Sequence, residues 1–516
     1  MSATPLVEVR RDTYLDSVLL MSASRILLEA VGVEWGAALM GTPANVDVLR
    51  QEGMPAGELA AARANDLVLA VRAASPEAAV AALEAAKARL LGEARPATSV
   101  MEVAARIRTI PEAVEKLAGA NVAVVSVPGE FAALEAQRAL SSGLHMLLFS
   151  DNVPVEREVE LKQRGRELGL LVMGPGAGTA MLGNVGLGFA NVVTAGPIGV
   201  VAAAGTGAQE VMSLIHGFGY GCSHVIGVGG RDLSAKVGGI MTRLALEALE
   251  ADPRTETILL VSKPPAAAVA EAVLATPGRK PLVAALIGME SSIGAPSRVQ
   301  LVGSLEAGAV RAVEISGGSP ASPSTGLAAS AAAAARGLAA ERRAIRGLFS
   351  GGTLCFETMV LLSNRLGPVY SNTPLRPEWA RPAPPGAHLC LDLGEEEFTR
   401  GRPHPMIDAE ARIEHIRREA ADPSVAVLLV DVVLGHGSHP DPAGALAPVL
   451  AEITANPEGP RVVAYVLGTD LDPQDASAQR RQLAEAGCVL APTGARAALL
   501  AAAIAERQPQ LAEQVV

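Results

Sequence analysis

Aromatic residues make up only 3% of the 516-residue chain: seven Phe, four Tyr and two Trp. A core with so few rings must be built from Ala, Val and Leu, and the 49% share of apolar residues supplies them. Charged residues are sparse as well, at 19%, which excludes a largely disordered chain. Positive charge is in deficit, with 43 Lys and Arg against 54 Asp and Glu, a net charge of −11. A chain of that sign is a poor non-specific binder of nucleic acid or of an anionic membrane surface. No basic cluster with interleaved aromatics offers a nucleic-acid face. No apolar run reaches the roughly 20 residues of a membrane-spanning helix. The first residues, MSATPLVEVRRD, carry charge where a secretory signal needs an apolar stretch. Only four cysteines occur, Cys222, Cys355, Cys390 and Cys488, and none forms a CxxC pair. They read as reduced thiols of a cytoplasmic protein. A Walker loop, a three-glycine dinucleotide fingerprint and a Ser-His-Asp elbow are all missing.

What the chain does have is an α/β rhythm built from small residues. At roughly 150 residues per domain, the length predicts three to four domains. Residues 1–110 read as a small α+β module of ACT or ferredoxin-like type. It has a strand at 6–10, a helix at 12–30, the strand DLVLAV at 66–71 and an Ala-rich helix opened by Ser75 as N-cap and Pro76 at the first helical position. Residues 111–190 read as a Rossmann domain. Its leading strand, VAVVSV at 122–127, has the continuous apolar pattern of a strand buried on both faces. Residues 191–325 repeat the rhythm as a flavodoxin-like domain, with strands at 198–203, 223–228, 258–261 and 282–287. Residues 326–345 read as a linker. Residues 346–516 form a C-terminal flavodoxin-like domain with strands at 389–393, 425–433, 461–467 and 489–490. The fold class is α/β, with tandem doubly wound parallel sheets behind a small α+β module.

In open α/β sheets, ligands sit beyond the carboxyl ends of the strands, so the loops there hold the candidate site. In VVAAAGTGAQE a strand ends at Ala203, and Gly205, Thr206 and Gly207 open a helix at once. The first amides of that helix lack intrahelical partners, and the helix dipole adds positive character, which suits a phosphate or carboxylate. Glu210, read as lying in the first turn, is placed to orient a partner. A second strand ends in Gly229-Gly230-Arg231-Asp232, a loop able to cover the ligand from the other side, with Lys236 nearby; a charged surface turn reads equally well. EFTRGRPHPMID holds Arg400, Arg402, His404 and Asp408. Two prolines restrict the backbone around His404, which suits proton transfer or anion binding. LLVDVVLGHGSHPDPAG ends a long apolar strand in His436, His439 and Asp441. These are ligand-type residues, but on a glycine- and proline-rich loop they suit substrate contact better than a metal. Asp431, inside that strand, needs a buried partner. If the strands are parallel, these loops and Gly468-Thr469-Asp470 converge in one crevice. His145, His216, His224, His388 and His415 read as structural or surface residues.

At these residues the chain resembles a known family. Residues 122–308 are similar to the α subunit of succinyl-CoA synthetase through DNVP at Asp151, VMGP at Val172, GVVAAAGTGAQEV at Gly199, GFGYG at Gly217 and GVGG at Gly227. From Cys390 the chain resembles the ligase domain of the β subunit through LDLG, VAVLLVDVVLGHG, VVAYVLGTD and LAEAG. Fused in this order behind an N-terminal module, it resembles the FdrA family of acyl-CoA-synthetase-like proteins. The resemblance implies that the helix opened at Gly205 and Thr206, with Glu210, faces a phosphoryl relay. It places Glu306 where the family's phosphohistidine belongs. It supplies no counterpart for the glycine loop that binds CoA phosphates, and no ATP-grasp domain. CoA binding is therefore implied by family alone, ATP only through a partner subunit, and a metal not at all. Three functions stay open. One is an acyl-CoA-ligase-like subunit that handles a carboxylate or acyl phosphate, with His404 or Glu306 as relay and with partner subunits or further copies of itself. Another is a carbamoyltransferase component of oxamate type, with Arg402 and Arg231 clamping carboxylates. The third is a non-catalytic anion sensor.

Overall fold

A computed structural model of the chain describes residues 4–13, 15, 17–91, 107–289, 295–400 and 403–516. The chain divides into two compact units, Met1–Arg106 with Arg400–Pro403, and Ile107–Thr399 with His404–Val516.

The first unit follows the order β1 (Thr4–Arg10), α1 (Ser17–Glu29), β2 (Val33–Met40), α2 (Pro43–Gln51), α3 (Ala56–Leu59), β3 (Leu67–Ala73) and α4 (Pro76–Leu91). Its sheet is antiparallel, in the order β1-β3-β2. β3 is central and almost wholly buried because both faces are covered. Leu67, Leu69 and Val71 pack with Leu27 and Leu83 of α1 and α4, while Val68 and Ala70 pack with Leu49 and Leu59 of α2 and α3. Ser75 accepts the Ala78 N–H at 3.2 Å, the expected N-cap.

The second unit holds three modules. The first contains α5 (Ile110–Lys116), β4 (Val122–Val125), α6 (Gly129–Ser141), β5 (His145–Leu148), α7 (Val155–Leu168) and β6 (Val172–Met173). Its parallel sheet has only three strands, in the order β4-β5-β6. The leading strand departs from expectation. β4 is an edge strand, and Val124 is 57% exposed, because no described strand pairs with its outer side. An apolar run reads as doubly covered only if neighbours exist, and here the sheet stops.

The second module contains β7 (Thr179–Leu182), β8 (Val185–Gly188), β9 (Ala195–Ala203), α8 (Gly205–Gly217), β10 (Cys222–Gly227), α9 (Ile240–Ala251), β11 (Thr257–Ser262), α10 (Ala267–Leu274), β12 (Leu282–Leu286), β13 (Val299–Val302), α11 (Leu305–Ile315) and α12 (Leu327–Ala335). The strand order is β13-β12-β11-β9-β10-β7-β8, and all neighbours from β13 to β10 are parallel. The β7–β8 hairpin, unforeseen from the sequence, turns at Gly183 and Asn184, both at positive φ (57° and 67°).

The third module contains β14 (Ala344–Phe349), α13 (Gly352–Leu366), β15 (Val369–Ser371), β16 (His388–Asp392), α14 (Glu396–Thr399), α15 (Glu410–Ala420), β17 (Val425–Val433), α16 (Pro442–Thr454), β18 (Arg461–Leu467), α17 (Ala476–Glu485), β19 (Val489–Ala491) and α18 (Gly494–Glu506). All six strands are parallel, in the order β15-β16-β14-β17-β18-β19. The boundary drawn at 346 therefore cuts through β14, and the stretch read as linker contains α12 and the start of that strand. Arg346 disguises β14. It is a charged residue inside a strand, and it is buried only because Glu419 (2.9 Å) and Asp422 (2.8 Å) pair with its guanidinium.

Modules two and three share one core. It runs through α8, α11, α13 and α18, and α18 is buried from Gly494 to Ala505. Its alanines let neighbouring helices approach closely. Among the described residues no helix is long and apolar enough to cross a membrane.

Candidate functional site

Each of the two flavodoxin-like sheets has one strand from which connections leave in opposite directions. β9 lies between β10 and β11, and β14 lies between β16 and β17. The carboxyl end of such a strand opens a crevice. Here the two crevices meet, because the helices that follow these strands, α8 and α13, begin against each other. The Thr353 N–H donates to Thr206 Oγ1 at 3.0 Å. A Cβ on Gly207 would lie 3.0 Å from Thr353 Cγ2, and one on Gly351 would lie 3.0 Å from Thr206 Cγ2, so a side chain at either place would press on the facing threonine. The sequences repeat as well: GTGAQE at 205–210 and GTLCFE at 352–357.

Two helix N-termini in contact bring two positive dipole ends together, an arrangement that needs anionic compensation. At α13 the protein supplies it. Asp431, buried in β17, accepts the amides of Ser350 and Gly351, both at 2.8 Å, and pairs with Arg412 at 2.7 Å. Asp392, at the end of β16, lies against Gly352. Burial pushes the Asp392 carboxyl up to about 6, against the opposing pull of the Lys263 charge. At α8 no side chain caps the first turn. Gly205 is exposed, with open space where a Cβ would stand.

His404 stands at the rim of this crevice. Its Nε2 and Asp392 Oδ1 both border Gly394, 2.6 and 3.2 Å from where a Cβ would be. Its ring lies 6.4 Å from that of Phe189. Burial pushes its pKa down to about 4, so the ring is neutral at physiological pH. Nδ1 accepts the Met406 N–H at 3.2 Å. The neutral ring therefore carries its proton on Nε2 and offers a hydrogen-bond donor to the crevice.

Lys263 is the cation that the sequence did not single out. It follows β11, whose Ser262 pairs with Ala203 of β9, so it stands beside Ala204 at the mouth of α8. Its Nζ lies 5.5 Å from the centre of the Phe356 ring on α13. Asp392, Thr353 and the Ser350–Gly352 turn were likewise not anticipated. The repeated Gly-Thr after an apolar strand was the signal that would have found them.

The other expected residues are placed as follows. Glu210 lies in the second turn of α8, not the first, because five residues from Gly205 to Gln209 precede it in the helix. It accepts from the Tyr465 hydroxyl at 2.6 Å and from the Gly494 amide at 3.1 Å, and burial pushes it up to about 7. Its counterpart Glu357 accepts the Leu305 amide at 2.7 Å, and burial pushes it up to about 8. The first helix of each module thus satisfies the first amide of a later helix of the other: α8 that of α18, and α13 that of α11. Glu306 is buried in an ion pair with Arg496 at 2.6 Å and also accepts from Thr493 at 2.5 Å. Gly229 (φ +88°) packs on the Gly174–Pro175 turn, and Gly230 is exposed beside Ala203. Arg231 donates to the Val153 carbonyl at 2.7 Å and pairs with Glu158 at 2.9 Å. Lys236 is exposed. Asp408 accepts the Glu410 amide at 2.8 Å. The loops after β16 and β17 do come together, through the His439 N–H and the Met406 carbonyl at 2.8 Å, and the His436 N–H reaches the Ala190 carbonyl at 2.9 Å. Asp441 caps α16 and accepts from Gln479 at 3.0 Å. Arg402 lies outside the described residues. Among those residues no group of three or more His, Cys, Asp or Glu is arranged to hold a metal ion.

A family profile described as CoA-ligase matches residues 348–504. Another, described as AllF, heavy metal-associated domain, matches residues 1–105. Those residues hold no histidine or cysteine, since the first histidine is His145 and the first cysteine Cys222. The ADP-forming sulfoacetate-CoA ligase subunit SauD of Bilophila wadsworthia is 29% identical over 187 residues, 34% of this chain and 62% of that subunit. The α subunit of the ADP-forming succinate–CoA ligase of Methanothermobacter thermautotrophicus is 26% identical over 146 residues, 28% of this chain and 48% of that subunit. The matches thus span less than two thirds of either ligase subunit. The Escherichia coli (strain K12) protein YahF is 41% identical over 510 residues, which cover 96% of this chain and 97% of that protein. With that coverage, and with a CoA-ligase domain in its C-terminal third, the chain belongs to the YahF family of acyl-CoA-synthetase-like proteins.

Proposed function

We propose that the crevice between α8 and α13 binds the phosphoryl group of a small acyl phosphate, within an acyl-CoA-ligase reaction completed by partner subunits. One observation carries this reading: two glycine-threonine helix N-termini are held in contact, and only the α13 end is balanced by the protein's own carboxylates. The phosphate sits on the open α8 end, at Gly205, Thr206 and Gly207, with the Gly230 backbone and Lys263 beside it. Nε2–H of His404 donates to an oxygen of the reacting group. The CoA thiol then attacks the acyl carbon, and inorganic phosphate leaves along the helix axis that stabilises its charge. ATP enters through a partner that forms the acyl phosphate. In this reading Glu306 and Glu210 are structural residues, because their oxygens are already engaged.

Gly205→Asp tests the proposal. The position has room for a side chain, and a carboxylate at the first helical position stabilises a helix by about 0.3–1 kcal/mol. The variant is expected to melt at the same temperature as the wild type or above it, and to lose the protection that phosphate and acetyl phosphate give. CoA-dependent release of phosphate from acetyl phosphate or succinyl phosphate should fall with it. Failure of every phosphorylated anion to protect the wild type, or equal protection of the variant, would overturn the reading. The resemblance to the FdrA family makes carbamoyl phosphate the comparison ligand. Protection by it alone would shift the substrate from an acyl to a carbamoyl group.

A further inference from the structure

Asp392 is a crevice carboxylate to which phosphate binding gives no task. It ends β16 and is only 4% exposed. Asn372 holds its backbone at two points: Asn372 Oδ1 accepts the Asp392 N–H at 3.0 Å, and the Asn372 amide donates to the Asp392 carbonyl at 2.9 Å. Of the two carboxylate oxygens, Oδ1 accepts the Gly394 N–H at 3.0 Å. Oδ2 accepts no hydrogen bond among the described residues, yet it keeps contact with solvent, unlike the orphan oxygens of Ser213 and Thr276, which are shut off. It lies against Gly352, where a side chain would collide with it and cover it. Capping does not account for this oxygen. Asp431 takes the amides of Ser350 and Gly351, and the Thr353 amide goes to Thr206. Gly394 keeps the other side clear, since His404 Nε2 and Asp392 Oδ1 stand 2.6 and 3.2 Å from where its Cβ would be. A neutral donor and a carboxylate with a spare oxygen thus border one space, the pairing that acid–base chemistry needs.

We propose that Asp392 is the base that takes the proton of the attacking thiol during acyl transfer. The inference rests on the crevice being an acyl-phosphate site. The sulfur–carbon bond forms as the bond between the acyl carbon and the phosphate oxygen breaks, and the electron pair of that bond leaves with the phosphate. The S–H proton passes to Oδ2 and from there to the departing phosphate, which leaves as hydrogen phosphate and returns Asp392 to its ionised form. His404 meanwhile holds the carbonyl oxygen through Nε2–H. Burial pushes Asp392 up to about 6 against the pull of the Lys263 charge, and Glu395 and Asp431 add to the rise. The other titratable groups around it, His404 and Cys355, are both kept neutral by burial. A base near 6 is ionised at physiological pH and is a better proton acceptor than an ordinary carboxylate for a thiol near about 8.5.

Asp392→Asn in the full chain tests it, with acetyl phosphate and CoA as substrates and phosphate release as the readout. The variant keeps an acceptor for the Gly394 amide and loses a buried charge. It is expected to melt no lower than the wild type and to be protected equally by phosphate. Its turnover at pH 7 should fall by about 10²–10⁴-fold, the usual worth of a general base. The wild-type rate should climb from pH 5 and level off above about 6, whereas the residual rate of the variant should keep rising toward about pH 8.5, as the thiol ionises unaided. Asp392→Ala should show the same change of profile. Unchanged turnover in a variant that phosphate still protects, or a lower rate that keeps the wild-type plateau, would overturn the role of Asp392 and leave the phosphate site standing. So would a wild type that phosphate protects but that releases none with CoA. A wild type that no phosphorylated anion protects would overturn both.

Discussion

His404 illustrates how a site residue's surroundings choose its chemistry. A histidine near 6.5 would exchange protons at physiological pH, whereas one pushed to about 4 by burial stays neutral and donates from Nε2. Its contribution to stability follows from the sign of that shift. The folded state binds the proton less readily than the unfolded state, so the contribution is complete above about pH 6.5 and is lost as the pH falls toward 4. His404→Gln should flatten the acid limb of a melting-temperature profile between pH 6.5 and 4 and remove turnover, while phosphate still protects the variant. A wild-type activity profile that inflects near 6.5 and loses that inflection in the variant would contradict a neutral donor. His404 was legible in the sequence because two prolines and a strand end mark it. Asp392 and Lys263 were not, because LCLDL and VSKPP carry no spacing signature, and their meeting depends on how two separate sheets pack. Lys263→Met should weaken phosphate binding about tenfold without lowering the melting temperature, and Lys263→Arg should restore much of it; equal affinity in the Met variant would remove Lys263 from the site.

At the scale of elements, the pair α8 and α13 explains why so many carboxylates are buried behind the crevice. Glu210 caps α18 and Glu357 caps α11, so each module's leading helix anchors a later helix of the other. Burial raises both groups, to about 7 and about 8. For a raised carboxyl the folded state holds its proton longer than the unfolded state. Stability therefore falls as the pH climbs from about 4.5 to about 8, and levels off beyond that. Replacing both with Gln keeps an acceptor for each helix amide and removes the titration. The double variant should show a flatter melting profile between pH 5 and 8 than the wild type, and an unchanged slope would mean that these groups ionise normally in the fold. Most strands were visible as apolar runs, among them β9, β17 and β18. β14 and α13, half of the crevice, were not. The arginine within RGLF interrupts the run, and only the ion pairs of Arg346 with α15 and the turn after it make that residue tolerable inside a sheet. A reader of one sequence sees the charge but not its distant partners.

At the scale of the whole chain, charge again joins pieces that composition alone would separate. Modules two and three are bound by a shared alanine-rich core and by the buried Glu306–Arg496 pair. The Rossmann module, with three strands and an uncovered edge, has less to hold it. Its link to the next module includes Lys162 of α7, fully buried, which donates to Glu158, to Asp232 at 2.8 Å and to the Val228 carbonyl at 2.9 Å. Asp232, foreseen as part of an anion loop, is instead an anchor that also accepts from Thr242. A fully buried lysine with no solvent path must be matched charge for charge, so removing it alone leaves Asp232 and Glu158 under-compensated. Lys162→Met should cost about 3–5 kcal/mol in chemical denaturation, the range for breaking a buried ion pair from one side. Because the link lies between modules, an early unfolding transition should separate from the main one. The double change Lys162→Met with Glu158→Leu removes one of the stranded charges and should recover part of the loss. A single variant within 1 kcal/mol of the wild type, with one transition, would mean that the Rossmann module is held by its apolar contacts alone.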